Sequence, residues 1–252
     1  MAVKQRPGFE VSVERTTEAT KSKSVFYDIK PGQNVNLRFL PPDNAEGRLF
    51  FESAQHFNFK LEGEKRTWAC LRVHGDGTEE CPACVLVEKA EAADDDRFKK
   101  IIREHNMSPR WHAQVLVLPK PDDKDEEGNP VGVKQINVVG LSKGTAQKVA
   151  NILKMEKDNR QALLTDPDKG QAVNVSRNDK SGLQTRYEVQ ATGLRVPLDE
   201  VYPKWTDEFL DIQKAIGLRI TTAEEMSNSI QETIGNNLFK ALLGDVEFAI
   251  AG

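Results

Sequence analysis

Over most of its first 200 residues this chain alternates apolar with polar positions, and it takes up helical spacing in only four stretches. Val25 to Leu40 reads as a short strand, a turn at Pro31-Gly32 and a second strand. In that second strand Val35, Leu37 and Phe39 point to a core, and Asn34, Asn36 and Arg38 point away. Arg48 to Leu61 is the most aromatic section. Period two places Phe51, Phe57 and Phe59 on one face, with Phe50, His56 and Lys60 on the other. A hairpin turn at Leu61 to Glu64 leads into a returning strand, Lys65 to Leu71. Arg110 to Leu118 alternates a polar, basic face (Arg110, His112, Gln114) with an apolar one (Trp111, Ala113, Val115). After the acidic loop Lys120 to Pro130, Val131 to Gly140 is a strand, and Gln171 to Arg177 pairs with Leu183 to Gln190 about a turn at 178–182.

The helical stretches are Val85 to His105, broken near Asp94-Asp95-Asp96, then Ser142 to Lys157, Thr206 to Ile216 and Thr222 to Leu243. Ser142 is in N-cap position, with Val149, Ile152 and Leu153 inward. Thr222 and Glu225 stand in capping-box register. The pattern predicts a mainly β chain with added helices, an α+β fold. Residues 1–24 have too few apolar positions to pack and read as a flexible arm. From 197 to 252 the chain becomes acidic and helical.

Composition narrows the classes. With 252 residues there is ample chain for a buried core, but 38% hydrophobic content leaves room for loops and a wet groove. No run of 18 apolar residues exists and the N-terminus has no signal-peptide stretch, so a cytoplasmic, membrane-free protein is expected. The formal net charge is −4. Residues 1–196 carry 31 Lys and Arg against 29 Asp and Glu, and residues 197–252 carry 4 against 10. The acidic excess therefore belongs to the C-terminal section, and a basic groove in the body is compatible with the sum.

Candidate chemistry centres on His56 to Cys84. All three cysteines lie here, and with His56 their spacing is His-x13-Cys-x10-Cys-x2-Cys through Cys70, Cys81 and Cys84. Three thiolates and one imidazole close a tetrahedral shell for one structural zinc, with no position open for a substrate. An odd cysteine count in a reducing compartment suits a metal better than disulfides. His56 is preferred as fourth ligand because a strand residue ties the loop to the body; His74 remains open through Cys-x3-His-x6-Cys-x2-Cys. A dithiol redox role for Cys81 and Cys84 lacks the βαβ context. A zinc deaminase would need His-x-Glu and Pro-Cys-x-x-Cys, which are missing. His105 and His112 read as surface or groove histidines.

Around this element the chain resembles the single-stranded-DNA-binding protein family of T-even bacteriophages. The blocks that carry the likeness, in order, are GQNVNLRFLPP (Gly32 to Pro42), a histidine on an aromatic strand, the Cys…HGDGTEECPAC spacing, RWHAQVLVL (Arg110 to Leu118) and DPDKGQAVNVSRNDKSGLQTRYEVQ (Asp166 to Gln190). They cover roughly residues 30–195. The resemblance implies an OB-fold-type barrel over 25–196 with an inserted zinc subdomain at about 56–105, coating single strands in replication, recombination and repair. In that family a basic N-terminal segment links neighbours along the strand, and here Arg15-Thr16-Thr17 and Lys21-Ser22-Lys23 echo it. The acidic helices at 206–247 stand where the family carries a regulatory acidic tail.

No catalytic constellation appears: Gly140 to Gly144 lacks Walker spacing, and no Ser/His/Asp set stands out. The expectation is a non-enzymatic, sequence-independent binder of single-stranded DNA, with replication or recombination proteins as partners and self-association along the strand. A groove between the zinc subdomain and the 171–190 hairpin would present Arg38, Lys60, Lys65, Arg66, Arg72, Arg110, Lys134, Arg177, Lys180 and Arg186 to phosphates. Trp68, Trp111 and Tyr187 would stack on bases. The alternative is a zinc-stabilised protein–protein interaction module, which net acidity favours.

Overall fold

A computed structural model describes residues 25–44, 46–75, 80–120, 122–180 and 184–244, with the side chains at 179, 180 and 184–186 outside that description. The predicted arm at 1–24 and the side chains of Lys180 and Arg186 therefore lie outside the described residues. The strands are β1 (Phe26–Tyr27), β2 (Asn34–Phe39), β3 (Phe51–Leu61), β4 (Glu64–Ala69), β5 (Ser108–Leu118), β6 (Ile136–Leu141), β7 (Gln171–Lys180) and β8 (Gln184–Arg195). The helices are α1 (Leu71–His74), α2 (Pro82–Ala92), α3 (Lys99–His105), α4 (Lys143–Asp158), α5 (Leu198–Val201), α6 (Ile212–Ala215), α7 (Ala223–Ile234) and α8 (Asn236–Leu243).

The strands form one sheet in the order β1-β6-β5-β2-β7-β8, antiparallel except for β1 beside β6. β5 is long enough to serve two neighbours on one edge: its first half pairs with β3 and its last residues pair with β2. The β3–β4 hairpin thus leaves the main sheet as an arm. The sheet stays open, because β1 and β8 end the path without pairing, so the closed barrel expected above does not form. The architecture is α+β.

Three cores follow from the alternation. Val35, Leu37 and Phe39 join Ala113, Val115, Val173 and Val175 beneath α4. On the opposite face Leu40, Leu116 and Ile136 meet Leu198 and the 201–210 segment. The third core fills the space between the β3–β4 arm and α2, α3, α7 and α8, and contains Cys70 and Cys81.

Two helix expectations change. The chain at 206–210 is a turn followed by irregular chain rather than a helix: Asp207 and Glu208 donate their N–H groups to the Lys204 carbonyl, Leu210 donates its N–H to Gln114 Oε1 at 2.8 Å, and α6 starts only after Asp211, whose carboxylate accepts from Lys214 N–H. The stretch 222–243 is two helices, since Gly235, with φ +82° and ψ 155°, takes a conformation closed to side-chain-bearing residues. Thr222 caps α7 through the Glu225 N–H, whereas Glu225 turns to the Thr221 hydroxyl. Among the described residues no helix is long and apolar enough to cross a membrane.

Candidate metal centre and nucleic-acid surface

Three elements deliver the four candidate ligands. β3 carries His56, the end of β4 leads to Cys70, and Cys81 and Cys84 flank the first turn of α2, where Pro82 sits at the position that needs no N–H. Simple alternation would put His56 and Phe59 on opposite faces. A bulge between them, marked by Asn58 at φ +64°, adds one residue to β3, so that His56 opposes Trp68 while Phe59 opposes Arg66. Both then enter the same core, where each is fully buried.

His56 Nε2 lies 3.5 Å from Cys81 Sγ and 3.5 Å from Cys84 Sγ, and Cys70 and Cys84 sulfurs are 3.5 Å apart. The four ligand atoms all fall within 4.8 Å of one another. Zinc–sulfur bonds of about 2.3 Å and zinc–nitrogen bonds of about 2.0 Å give tetrahedral edges of roughly 3.5–3.8 Å, so the cluster has the size of a zinc shell. The sulfurs are too far apart for a disulfide, and all three cysteines are free.

The surrounding shell agrees. His56 Nδ1 donates to the His105 carbonyl at 2.9 Å, so that Nε2 is the ring nitrogen aimed at the sulfurs, free to coordinate once its proton is displaced by a metal. Burial works against a charged imidazole here. Hydrogen bonds with Cys70 and Cys81 outweigh it and raise His56 to about 10. Hydrogen bonds from Cys70 and Cys84 hold Cys81 well below the ordinary thiol range, and the same crowding of sulfurs pushes Cys84 up. Three thiolates cannot share this space unless a cation joins them. A buried His/Cys3 cluster is therefore present that can hold one metal ion. Met226 of α7 closes one side, its sulfur 3.7 Å from Cys81 Sγ.

His74 is excluded as fourth ligand. Its Nε2 accepts the Ala54 N–H at 2.9 Å and its ring stacks on Phe51. His105 and His112 are buried rather than surface residues. His105 stacks on Phe59 with ring centroids 4.5 Å apart, and His112 bonds Ser53 Oγ through Nε2.

The expected nucleic-acid residues do not converge on one groove. Arg38 does face away from the α4 core, but 164–170 and Val196 cover that side. Its guanidinium is fully buried and donates to the carbonyls of Phe39, Leu164, Asp166 and Val196. Burial pulls it down to about 10, against the opposing pull of Asp166 and Glu156. It is a structural bolt and cannot reach phosphate. Trp68 is also fully buried, donating to Ser229 Oγ at 3.0 Å, and so cannot stack on a base. Trp111 and Tyr187 are half-buried against the α4 core.

Arg66 pairs with Glu64 at 2.6 Å, and Arg72 forks onto Glu88. Arg177 donates to the Ile29 carbonyl, 2.8 Å away, and lies over the Tyr187 ring. Lys60, Lys65, Arg110 and Lys134 are exposed. Lys60 faces Lys65 at the tip of the arm, Arg110 stands beside Ser53 at the arm's root, and Lys134 lies beyond the far end of β5.

Two grooves among the described residues bear on these expectations. One, of about 690 Å³, lies between α1 and the β2–β3 connection and is acidic: Asp43, Glu46, Glu52 and Asp211 line it against Arg48, itself bound to Glu46. The other, of about 620 Å³, runs under the 119–135 segment. Asn34, Asn36 and Asn174 form one wall, with Asn174 Nδ2 donating to Asn34 Oδ1 and Asn36 Oδ1 at 2.5 and 2.7 Å. Lys120 and Lys134 stand on the other side, with Tyr27 and Val117 as apolar lining. Among the described residues, Lys134 is the one basic residue expected from sequence that lines either groove. The amides of β2 and β7 were visible as polar positions, but nothing in the sequence marks their register, Asn36 beside Asn174. No family model matches the chain, and neither does any curated protein.

Proposed function

We propose that this protein binds single-stranded DNA without sequence preference on an open OB-type sheet, with one structural zinc bracing the β3–β4 arm. The observation that carries the reading is the amide-and-lysine groove. Its wall of carboxamides offers hydrogen bonds to sugar–phosphate and base edges alike, and its two lysines offer charge. The resemblance of the chain to a single-strand-binding family supports it further. Zinc would be held by His56, Cys70, Cys81 and Cys84 and would supply folding energy rather than chemistry. The protein is accordingly read as a coat for single strands in replication, recombination and repair, not as an enzyme.

The test is a pair of titrations, poly-dT and duplex of equal length, at two salt concentrations. Preference for poly-dT, with affinity falling steeply as salt rises, is expected. Lys134→Glu should weaken poly-dT binding. Equal affinity for both forms, or no binding of either, overturns the reading.

A second reading has its own observation. The acidic groove beside α1 repels phosphate and matches a lysine- or arginine-rich peptide, as in a zinc-stabilised interaction module of a replication or transcription assembly. Salt-sensitive binding of such a peptide, lost in Glu52→Lys, together with no affinity for poly-dT, would select it.

A further inference from the structure

We infer that Phe26, Arg110 and the buried ring of His112 form a stacking subsite for one unpaired nucleotide at the root of the β3–β4 arm, an inference that rests on the single-strand reading. None of this is in the amide-lined groove; it lies on the opposite half of β5.

Phe26 is 39% exposed and, among the described residues, is the one aromatic side chain in the exposed class. It belongs to the two-residue strand β1, which pairs with Val138 and Val139 at the edge of the sheet. The ring is seated by an absence in its neighbour. A Cβ on Gly140 would stand 3.0 Å from Phe26 Cζ and 3.2 Å from His112 Cε1, so glycine here lets the phenyl lie down over β6 and the imidazole where a side chain would push both rings outward.

His112 is 4% exposed and meets the phenyl ring at 6.2 Å between centroids. Ser53 Oγ occupies its Nε2 at 2.8 Å, and its Nδ1 is buried with no hydrogen-bond partner. An orphaned ring nitrogen in such a position is costly unless something else completes it. Arg110, two residues before it on the same strand face, is exposed and has no ion pair among the described residues.

These features match the parts of a nucleotide. The base stacks on the outer part of Phe26, as sequence-tolerant binders use aromatic plates. The imidazole of His112 backs the phenyl from beneath, and the adjoining phosphate meets Arg110. Such a plate reads no sequence, in keeping with a general binder.

The experiment uses the full chain and a dT oligomer carrying one 2-aminopurine, titrated at two salt concentrations with wild type, Phe26→Ala, Phe26→Trp, Arg110→Ala and Arg110→Lys. The wild-type curve tests the single-strand reading; the variants test the subsite. Phe26→Ala should lose about tenfold in affinity, together with much of the fluorescence quenching, at unchanged salt dependence. Phe26→Trp should retain both. Arg110→Ala should lower affinity and reduce the salt slope by about 0.7, with Arg110→Lys restoring the slope. Because Arg110 is an exposed side chain, its removal separates loss of contact from loss of fold. Wild-type-like curves for Phe26→Ala and Arg110→Ala, while wild type binds, overturn the subsite and leave the single-strand reading standing. A wild type that binds no dT overturns both.

Discussion

The sequence favours His56 and leaves His74 open as fourth ligand; in the fold one has its Nε2 among three sulfurs and the other has its Nε2 committed to the Ala54 N–H. Spacing made the cysteines legible, because thiolates at x2 can face one ion. The deciding features for the histidines, a carbonyl at His105 and a backbone N–H at Ala54, carry no side-chain signature. Cys81→Ser is expected to take bound zinc from one per chain towards none, read by elemental analysis. His74→Ala should leave the metal in place and cost only about 1–2 kcal/mol in denaturant unfolding, the price of one buried N–H left unpartnered. Arg38 teaches the complementary lesson. Its outward phase was legible; the cover over it was not, because residues 164–196 come from far along the chain. Arg38→Met removes a donor from four carbonyls, of which Asp166 keeps the Gly170 N–H, and should cost about 3–5 kcal/mol, whereas Lys134→Ala should stay within about 0.5 kcal/mol. His112 gives a pH signature. Burial, with Arg110 adding to it, pushes the imidazole from 6.5 down to about 4. As pH falls the unfolded chain takes up this proton first, so the stabilisation is complete above 6.5 and drains away towards pH 4. The loss is on the order of 2–3 kcal/mol. Thermal melts of wild type and His112→Gln between pH 4 and 7 should converge at the acid end; a constant difference between them would refute the assignment.

At the scale of elements, strand phase was readable wherever a strand keeps one register, as in β2 and the inner face of β5. It failed where β3 gains a residue. Asn58, held at φ +64° with its amide donating to the Glu104 carbonyl at 3.2 Å, resets the alternation and brings His56 and Phe59 together. Asparagine tolerates that conformation better than any residue except glycine. Asn58→Gly should therefore hold zinc as wild type does. Asn58→Val should destabilise the arm by about 1–3 kcal/mol and release zinc sooner to a competing chelator, because a β-branched residue straightens the strand and turns His56 away. Equal metal retention by both variants would mean that the bulge does not position the ligand. The helices repeat the theme: Gly235 broke a periodicity that continued on both sides of it, since Met226, Ile230, Leu242 and Leu243 all reach the same core.

For the whole molecule, the acidic C-terminal helices and the metal cluster are parts of one core, a union that charge and spacing could not reveal across some 150 residues of sequence. Met226, Ile230 and Leu242 pack with Cys70 and Cys81, while Glu232 of α7 accepts both N–H groups of the arm's turn, Glu62 and Gly63, at 2.8 Å. Removing the metal should accordingly loosen α7 together with α2 and α3, and hydrogen exchange after chelation should rise at 223–234 as well as at 82–105. The α4 core shares no residue with this one, and the two communicate through five paired residues of β3 and β5, Phe51–Gln55 against Ser108–His112. Arg110 lies on that seam. Lys134 lies beyond the other end of β5, whose residues 110–118 span about 27 Å at roughly 3.4 Å per residue. Chelation is thus expected to remove the contribution of Arg110 to dT binding and to spare that of Lys134. In a double-mutant cycle, Arg110→Ala should have little further effect on the metal-free protein, whereas Lys134→Glu should weaken metal-free and metal-bound protein alike. If both substitutions act equally with and without the metal, the zinc arm and the strand-binding surface are independent. The metal would then brace only its own subdomain and the C-terminal helices packed on it.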